Sequence, residues 1–588
     1  MAKSDTRIEK TTKLVKKMGD QAVDLQSSST SHIRKNIILR FGHALESKRF
    51  TIGWLALVVS LIVLSLVTLK QIDSAAYIHA GTIGGTYTDG MVGSFNNLNP
   101  LFTNGVVDES SNRLIFNGLL RYDTEGKLVT DLAKDYHVND DHKTYVVNLR
   151  QDVRWHDGQM VTAQDVVYTI KTIQNPATRS TRYSGWQRIA VTAPSKYQVV
   201  FTLPTTLASF PDALTVPIVP KHLLSDIKPD ALRSAGFNTK PVGTGPFVVQ
   251  VLRTDTRQPQ LELKRNESYY RGAPKIERFV LRTYSDDNIM EKALEDRDIT
   301  AAAGLTVTEA QSLSSDTGVR VQNIPLYSGM FAFFKTTSPT LSEVKVRQAL
   351  VEDFDRQAIL KLYNAQYPPL KTPLLPTQLG YSAEFGQSTN QVEAAALLDS
   401  AGWVKKADGK RVKDGAKLEL SLVTVDSPDQ ITLATELQKQ WANIGVSIKI
   451  QYLTPEQLGQ TTLATHGYDI LLYGISIDHD PDVYAYWHSS QALPGASNFS
   501  EWRSSRADIS LDIARTRLED VLRVARYHSF EDEWKKSAPA LALYQLETTY
   551  AVHQNVTGFV PVASTNVADR FTNVEDWTVA TKLVTKSP

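Results

Sequence analysis

The sequence predicts an α/β protein, strands and helices alternating over most of its length, preceded by one transmembrane helix. Three observations carry that expectation. Residues 50–69, FTIGWLALVVSLIVLSLVTL, are an uncharged run of 20 residues. At a rise of about 1.5 Å per residue, such a run crosses a hydrocarbon core of about 30 Å. Residues 418–452 read as strand, helix, strand. Residues 468–475, YDILLYGI, are almost continuously apolar, as in a strand covered on both faces.

The transmembrane reading draws on what flanks the run. Ahead of it lies a basic tail, residues 1–49, with 11 Lys and Arg. Behind it, from Gln71 to Leu120, the one basic residue is Arg113. This asymmetry predicts a cytoplasmic tail, an anchor over 50–69 and a short linker over 70–76, with everything later outside the cell. A cleaved signal peptide is the rival. Its apolar core is normally about 7–15 residues with a short basic region, which this tail exceeds, although Ala75-Ala76 offers a cleavage site.

Past the anchor, Tyr145, Val147 and Leu149, then Val199, Phe201 and Leu203, alternate as strand residues. Phe247–Leu252 and Leu261–Arg265, joined by the turn-rich 254–260, predict a hairpin. Val346, Leu350, Phe354 and Ile359 lie near one helix face, with Ser342 as candidate N-cap. Residues 367–376, YPPLKTPLLP, carry too many prolines for regular structure. In the clearest unit, Leu418, Leu420 and Leu422 alternate with polar residues, and Ile431, Ala434, Leu437, Trp441 and Ile444 mark a helix face. Gly445 then stops the helix, and Val446, Ile448, Ile450 and Tyr452 alternate again. A connection of that length implies parallel pairing.

Composition narrows the function classes. The 588 residues include no Cys, which excludes disulfides, thiolate metal sites and a cysteine nucleophile. The net charge is +1 with no basic stripe interleaved with aromatics, so nucleic acid is not an expected partner. Gly409-Lys410 is followed by Arg411, so no Walker A loop is formed, and neither H-E-x-x-H nor G-x-S-x-G occurs. Asp478, Asp480 and Asp482 open like a calcium loop. Val483 and Ser489 then stand where that loop needs Gly and Glu. A zinc site from His479 and His488 lacks a third ligand, so no metal or other cofactor is expected. Asp157 and Asp165 are a possible acid–base pair. Asp157-Gly158 as a turn and Thr162 with Asp165 as a capping box explain them better.

Several blocks carry a family likeness: LNPLF at 98–102, LIFNGLLRYD at 114–123, LVTDLAKDY at 128–136 and YVVNLRQDVRWHDGQMVTAQDV at 145–166. PVGTGPF at 241–247, VRQALVEDFDRQAI at 346–359 and AALLDSAGW at 395–403 follow in the same order. With these, the chain resembles the family 5 extracellular solute-binding proteins, the oligopeptide- and dipeptide-binding components of ABC importers. The resemblance implies a periplasmic-binding-protein-like fold with two α/β lobes, a two-strand hinge and a smaller inserted lobe. The lobes would cover 77–119 with 190–282 and 552–588 (first), 120–189 (inserted) and 283–551 (third).

The same resemblance implies no enzymatic activity, a peptide or other small solute as ligand, and ABC permease subunits as partners. In peptide-binding members an aspartate past a cleft strand pairs with the ligand's α-ammonium. The spacing Asp469, Gly474, Asp478 matches that pattern, so Asp478 inherits the role, with Gly474, Ile475 and Ser476 beside it. Ile475 stands where members often have Trp, and Pro481 comes one residue early. Asp478 as a helix cap or Asx-turn is the competing reading. Tyr327, Met330 and Phe331 correspond to the cleft-lining strand of the other large lobe. A nickel complex or sugar as ligand, or a sensor or adhesion role for the same fold, stays open, the long tail favouring a sensor.

Overall fold

The computed structural model describes residues 48–585, apart from 306–309, 311–312, 314–317 and 364–366; side chains at 48–51, 66–67, 69–80 and 581–585 are not described. Residues 1–47 of the basic tail lie outside the described residues. The chain divides into two units, 1–80 with 582–588, and 81–581.

In the first unit a helix spans Lys48–Ala76. It runs through 70–76, expected as a linker, because no Gly or Pro stands between Gly53 and Gly81 to end it. Its apolar side chains, among them Ile52, Leu55, Leu57, Val59, Leu61, Ile62 and Leu64, stand exposed around the helix. Among the described residues no helix is long and apolar enough to cross a membrane. The described side chains of this one, 52–65 and 68, fall short of the full apolar run.

The second unit is built on a ten-stranded sheet. Its order is Ser447–Leu453, Glu419–Val425, Ile470–Ser476, Val319–Phe334, Ala540–His553, Ala301–Ala303, Thr86–Val92, Arg278–Tyr284, Gln260–Arg265, Phe247–Arg253. Glu419–Val425 and Ser447–Leu453 pair in parallel, with the helix Pro428–Asn443 between them in sequence, as their patterning predicts. Gly445, at φ 87°, closes that helix. Its N–H donates to the Ala442 carbonyl and the Val446 N–H to that of Trp441. The hairpin at 247–265 forms as expected. The helix at 344–352 is preceded by Glu343 as N-cap, not Ser342, whose hydroxyl donates to the Pro339 carbonyl instead.

Two long strands occupy the middle of the sheet. Val319–Phe334 and Ala540–His553 run antiparallel, their register interrupted between Pro325 and Gly329. On one side of them, two core clusters cover opposite faces of the sheet. Met330, Leu420 and Trp441 belong to one, and Phe331, Phe333, Leu471 and Trp487 to the other. On the far side a larger core gathers Tyr87, Leu114, Trp155, Phe201, Phe279 and Trp577.

Two boundaries drawn from the sequence shift. Ala190–Ser195 and Gln198–Thr202, placed with the first lobe, complete a four-stranded antiparallel sheet with Ala133–Val138 and Thr144–Leu149. Residues 284–303, placed with the third lobe, turn back beside Thr86–Val92. Arg278–Tyr284, the helix Asp287–Glu295 and Ala301–Ala303 form a strand–helix–strand whose strands flank Thr86–Val92 in parallel. Burial drives this: Met290, Leu294 and Ile299 close a cluster over Ala302 and Ala551 that a solvated connection would leave open.

The block at 241–247 has a steric reason. A Cβ on Gly243 or Gly245 would collide with the Ile115 carbonyl, so the loop lies flat against the end of the helix Val106–Ile115. His156 accepts the Gly243 N–H at Nδ1, tying the 145–166 block to the same place.

Candidate binding cavity

A cavity of about 750 Å³ lies within the second unit, where the strand Ile470–Ser476 ends. The strand leaves the sheet at Ile477, whose N–H donates to the Tyr327 carbonyl at 2.7 Å. The next carbonyl, of Asp478, accepts from Gln378 Nε2 at 2.7 Å. These two bonds hold the backbone so that Asp478, His479, Asp480 and Asp482 line one wall. Glu109 and Arg113 from the helix Val106–Ile115 also line it, with Tyr122, Arg182 and Asp212. Asp569 and Glu575, from near the C-terminus, complete the charged lining.

Of the residues singled out by sequence, Ser476 and Asp478 line the cavity. Asp478 does not cap the helix Tyr484–Trp487, which begins after Val483 without a side-chain cap. Gly474, Ile475, Met330 and Phe331 do not reach the cavity. They lie mid-strand, and the period-2 alternation sends Met330 and Phe331 into the two cores on opposite faces of the sheet. Tyr327 is one layer back, its ring 4.1 Å from that of His479, which also stacks on Tyr122 at 3.3 Å. Asp469 is structural. Its carboxylate accepts from Ser421 N–H (2.8 Å), Ser421 Oγ (2.9 Å) and Ser338 Oγ (2.5 Å).

Two of the three aspartates of the D-x-D-x-D run form ion pairs. Arg523 Nη2 donates to both Asp480 oxygens, at 2.8 and 2.6 Å, and Arg515 Nε lies 3.0 Å from Asp482. Among the described residues no group of three His, Cys, Asp or Glu is placed to hold a metal ion. Asp157 and Asp165 serve separate purposes. Asp165 accepts the Thr162 and Lys221 N–H groups at 2.8 and 2.9 Å, while Asp157 meets His222 at 2.7 Å.

Electrostatics single out three side chains. Asp478 has no ion pair among the described residues; burial raises its pKa, Asp569 adds to the rise and Arg182 opposes it. Asp212, which accepts from the Tyr122 hydroxyl, is pushed up to about 7 by burial and then by Asp480 and Asp478. His479 falls to about 4, chiefly through burial, so its ring is neutral at physiological pH. Sequence reading missed Tyr122, Arg182, Asp212 and Asp569, which lie in separate segments; Tyr122 falls within the 114–123 block and the other three in none of the quoted blocks.

A folded-state pKa raised above the unfolded value means that the folded protein holds the extra proton. With Asp212, stability of the ligand-free protein should therefore fall as pH rises from about 4 to about 7. Asp212→Asn should flatten that part of the melting-temperature profile measured between pH 4.5 and 8. An unchanged profile would contradict the assignment.

The sheet thus carries a charged cavity at the end of one of its strands. Residues 127–495 match the family described as bacterial extracellular solute-binding proteins, family 5, and the chain belongs to that family. Its members are substrate-binding, non-enzymatic components of ABC transporters. Protein XP55 of Streptomyces lividans is 28% identical over 452 residues, 75% of this chain and 80% of that one. The dipeptide-binding protein of Escherichia coli is 26% identical over 540 residues, 86% and 96% of the two chains. Among solved structures, NikZ of Campylobacter jejuni in complex with Ni(L-His) superposes with a TM-score of 0.70 at 27% identity, covering 84% of this chain and 99% of that one.

Proposed function

We propose that this chain captures short peptides in the cavity and hands them to the permease subunits of an ABC importer, without altering them. The observation that carries this reading is Asp478, a carboxylate at the strand end with no ion pair among the described residues, lining one cavity with the Arg182 guanidinium. An ammonium at the first and a carboxylate or carbonyl at the second would satisfy both. The Escherichia coli relative's name as a dipeptide-binding protein supports the same class.

In this reading the two halves of the ten-stranded sheet act as lobes, and Val319–Phe334 with Ala540–His553 is the hinge. Ligand contacts made from both sides shift the population toward closure. Phe50–Leu69 serves as a retained single span, with residues 1–49 in the cytoplasm and the binding unit outside. The apolar side chains exposed around the helix Lys48–Ala76 support it, since lipid is the environment that tolerates them.

A metal complex is the second reading, favoured by the likeness to NikZ and by a neutral His479 in the cavity. Thermal shift separates the two. A pool of di- to pentapeptides should raise the melting temperature, whereas nickel with L-histidine should not. The reverse result would replace peptides by metal complexes.

A further inference from the structure

The block at 114–123 runs into a hairpin of Leu120–Tyr122 with Leu128–Thr130. Leu120 roots it in the larger core, and Leu128 packs against the same core. Its turn is held locally: the Asp123 carboxylate accepts the Glu125 and Lys127 N–H groups at 2.8 and 2.9 Å, and the Gly126 N–H donates to the Asp123 carbonyl at 3.1 Å. From that root the hairpin reaches the other half of the sheet. The Tyr122 ring lies over the His479 ring, centroids 3.3 Å apart and planes within 8°. A Cβ on Gly126 would stand 3.6 Å from the hydroxyl of Tyr327, whose ring also meets His479 and whose body belongs to the core with Phe331 and Trp487.

A second contact joins the same two halves. Leu207 and Phe210 pack with the larger core, and between them the Ala208 N–H donates to the Arg515 carbonyl at 2.9 Å. Arg515 stands in the last turn of the helix Ser505–Thr516, where carbonyls have no partner within the helix. Arg515 Nε also holds Asp482, and the Ser209 hydroxyl lies 3.5 Å from that carboxylate. Tyr122, Leu207, Ser209, His479 and Asp482 all line the cavity. When the halves separate, the rings and the two backbone groups pass to water. Both contacts therefore favour the joined form through the protein's own groups.

Resting on the hinge reading above, we infer that the hairpin at 120–130 and the turn at 207–209 are a clasp, closing the two halves through Tyr122 on His479 and Ala208 on Arg515. Tyr122 is then a positioning residue for closure, part of the closing free energy is independent of the ligand, and a ligand enters as the clasp releases.

Single-molecule energy transfer on the full chain in detergent tests this without a ligand. The chain has no Cys, so Asp140→Cys and Val392→Cys, both at exposed positions of opposite halves, take dyes selectively. Tyr122→Ala should lower the ratio of closed to open molecules roughly threefold to tenfold, the equilibrium equivalent of one aromatic pair. Tyr122→Phe keeps the ring and loses only the hydroxyl bond to Asp212, so its ratio should stay near wild type. Ala208→Pro removes the N–H and should lower the ratio independently. Two populations in one unchanged ratio for wild type, Tyr122→Ala and Ala208→Pro overturn the clasp while the hinge stands. A loss in Tyr122→Phe equal to that in Tyr122→Ala overturns the stacking assignment. A single separation in all of these proteins, unmoved by a peptide pool, overturns the hinge reading with the clasp. Should Tyr122→Ala not fold, Ala208→Pro decides.

Discussion

Replacing Asp478 by Ala should weaken binding of a short peptide by about 2–5 kcal/mol, the cost of leaving a buried charge partner alone. The loss should appear mainly in the dissociation rate, as for most single changes within one binding site. Asp478→Asn keeps the shape and removes the charge, so it should recover little. Calorimetry on both variants checks the effect, and an affinity within twofold of wild type for Asp478→Ala would remove Asp478 from the site. Ile475→Ala should behave differently, lowering stability through a core cavity while leaving the charge pattern intact.

The second large effect concerns a pair with no exposed surface. Arg570 Nη2 lies 2.7 Å from Asp89 Oδ1, and both side chains are 0% exposed. Tyr550 donates to the other Asp89 oxygen at 2.6 Å, and Arg570 Nη1 reaches the Val567 carbonyl at 2.6 Å. The pair thus ties Thr86–Val92 to Ala540–His553 and to the turn Val567–Phe571, which carries the cavity residue Asp569. Asp89→Ala should cost about 3–5 kcal/mol, because it strands the guanidinium in a dry core. Asp89→Leu combined with Arg570→Met should cost much less than the two single changes added together. Urea denaturation of the full chain measures both; an Asp89→Ala midpoint equal to wild type would show the pair to be inert. Peptide affinity should fall in Asp89→Ala as well, since Asp569 moves with its turn.

Much of the architecture was legible in local patterns. The alternation in 418–425 and 446–453 around an amphipathic helix is sufficient for a parallel pair, because each face must bury its apolar residues and the link is too long for a hairpin. Capping at Thr162 and the stop at Gly445 were equally local, each satisfied within a few residues. The lobe boundaries were less accessible. Residues 190–202 and 284–303 have strand and helix patterns that fit either neighbour, and nothing local says which sheet edge they extend.

By itself the sequence determined the α/β class, the family likeness, the apolar run at 50–69 and the position of Asp478 at a strand end. Only the tertiary structure decided what faces Asp478. Asp212, Arg182, Tyr122 and Asp569 converge from distant segments, and their pairing, burial and mutual repulsion exist only once the chain is folded. It also removed Met330 and Phe331 from the candidate site. Aromatic and sulfur side chains at strand spacing serve a core and a cleft equally well, and burial is a property of what packs against them.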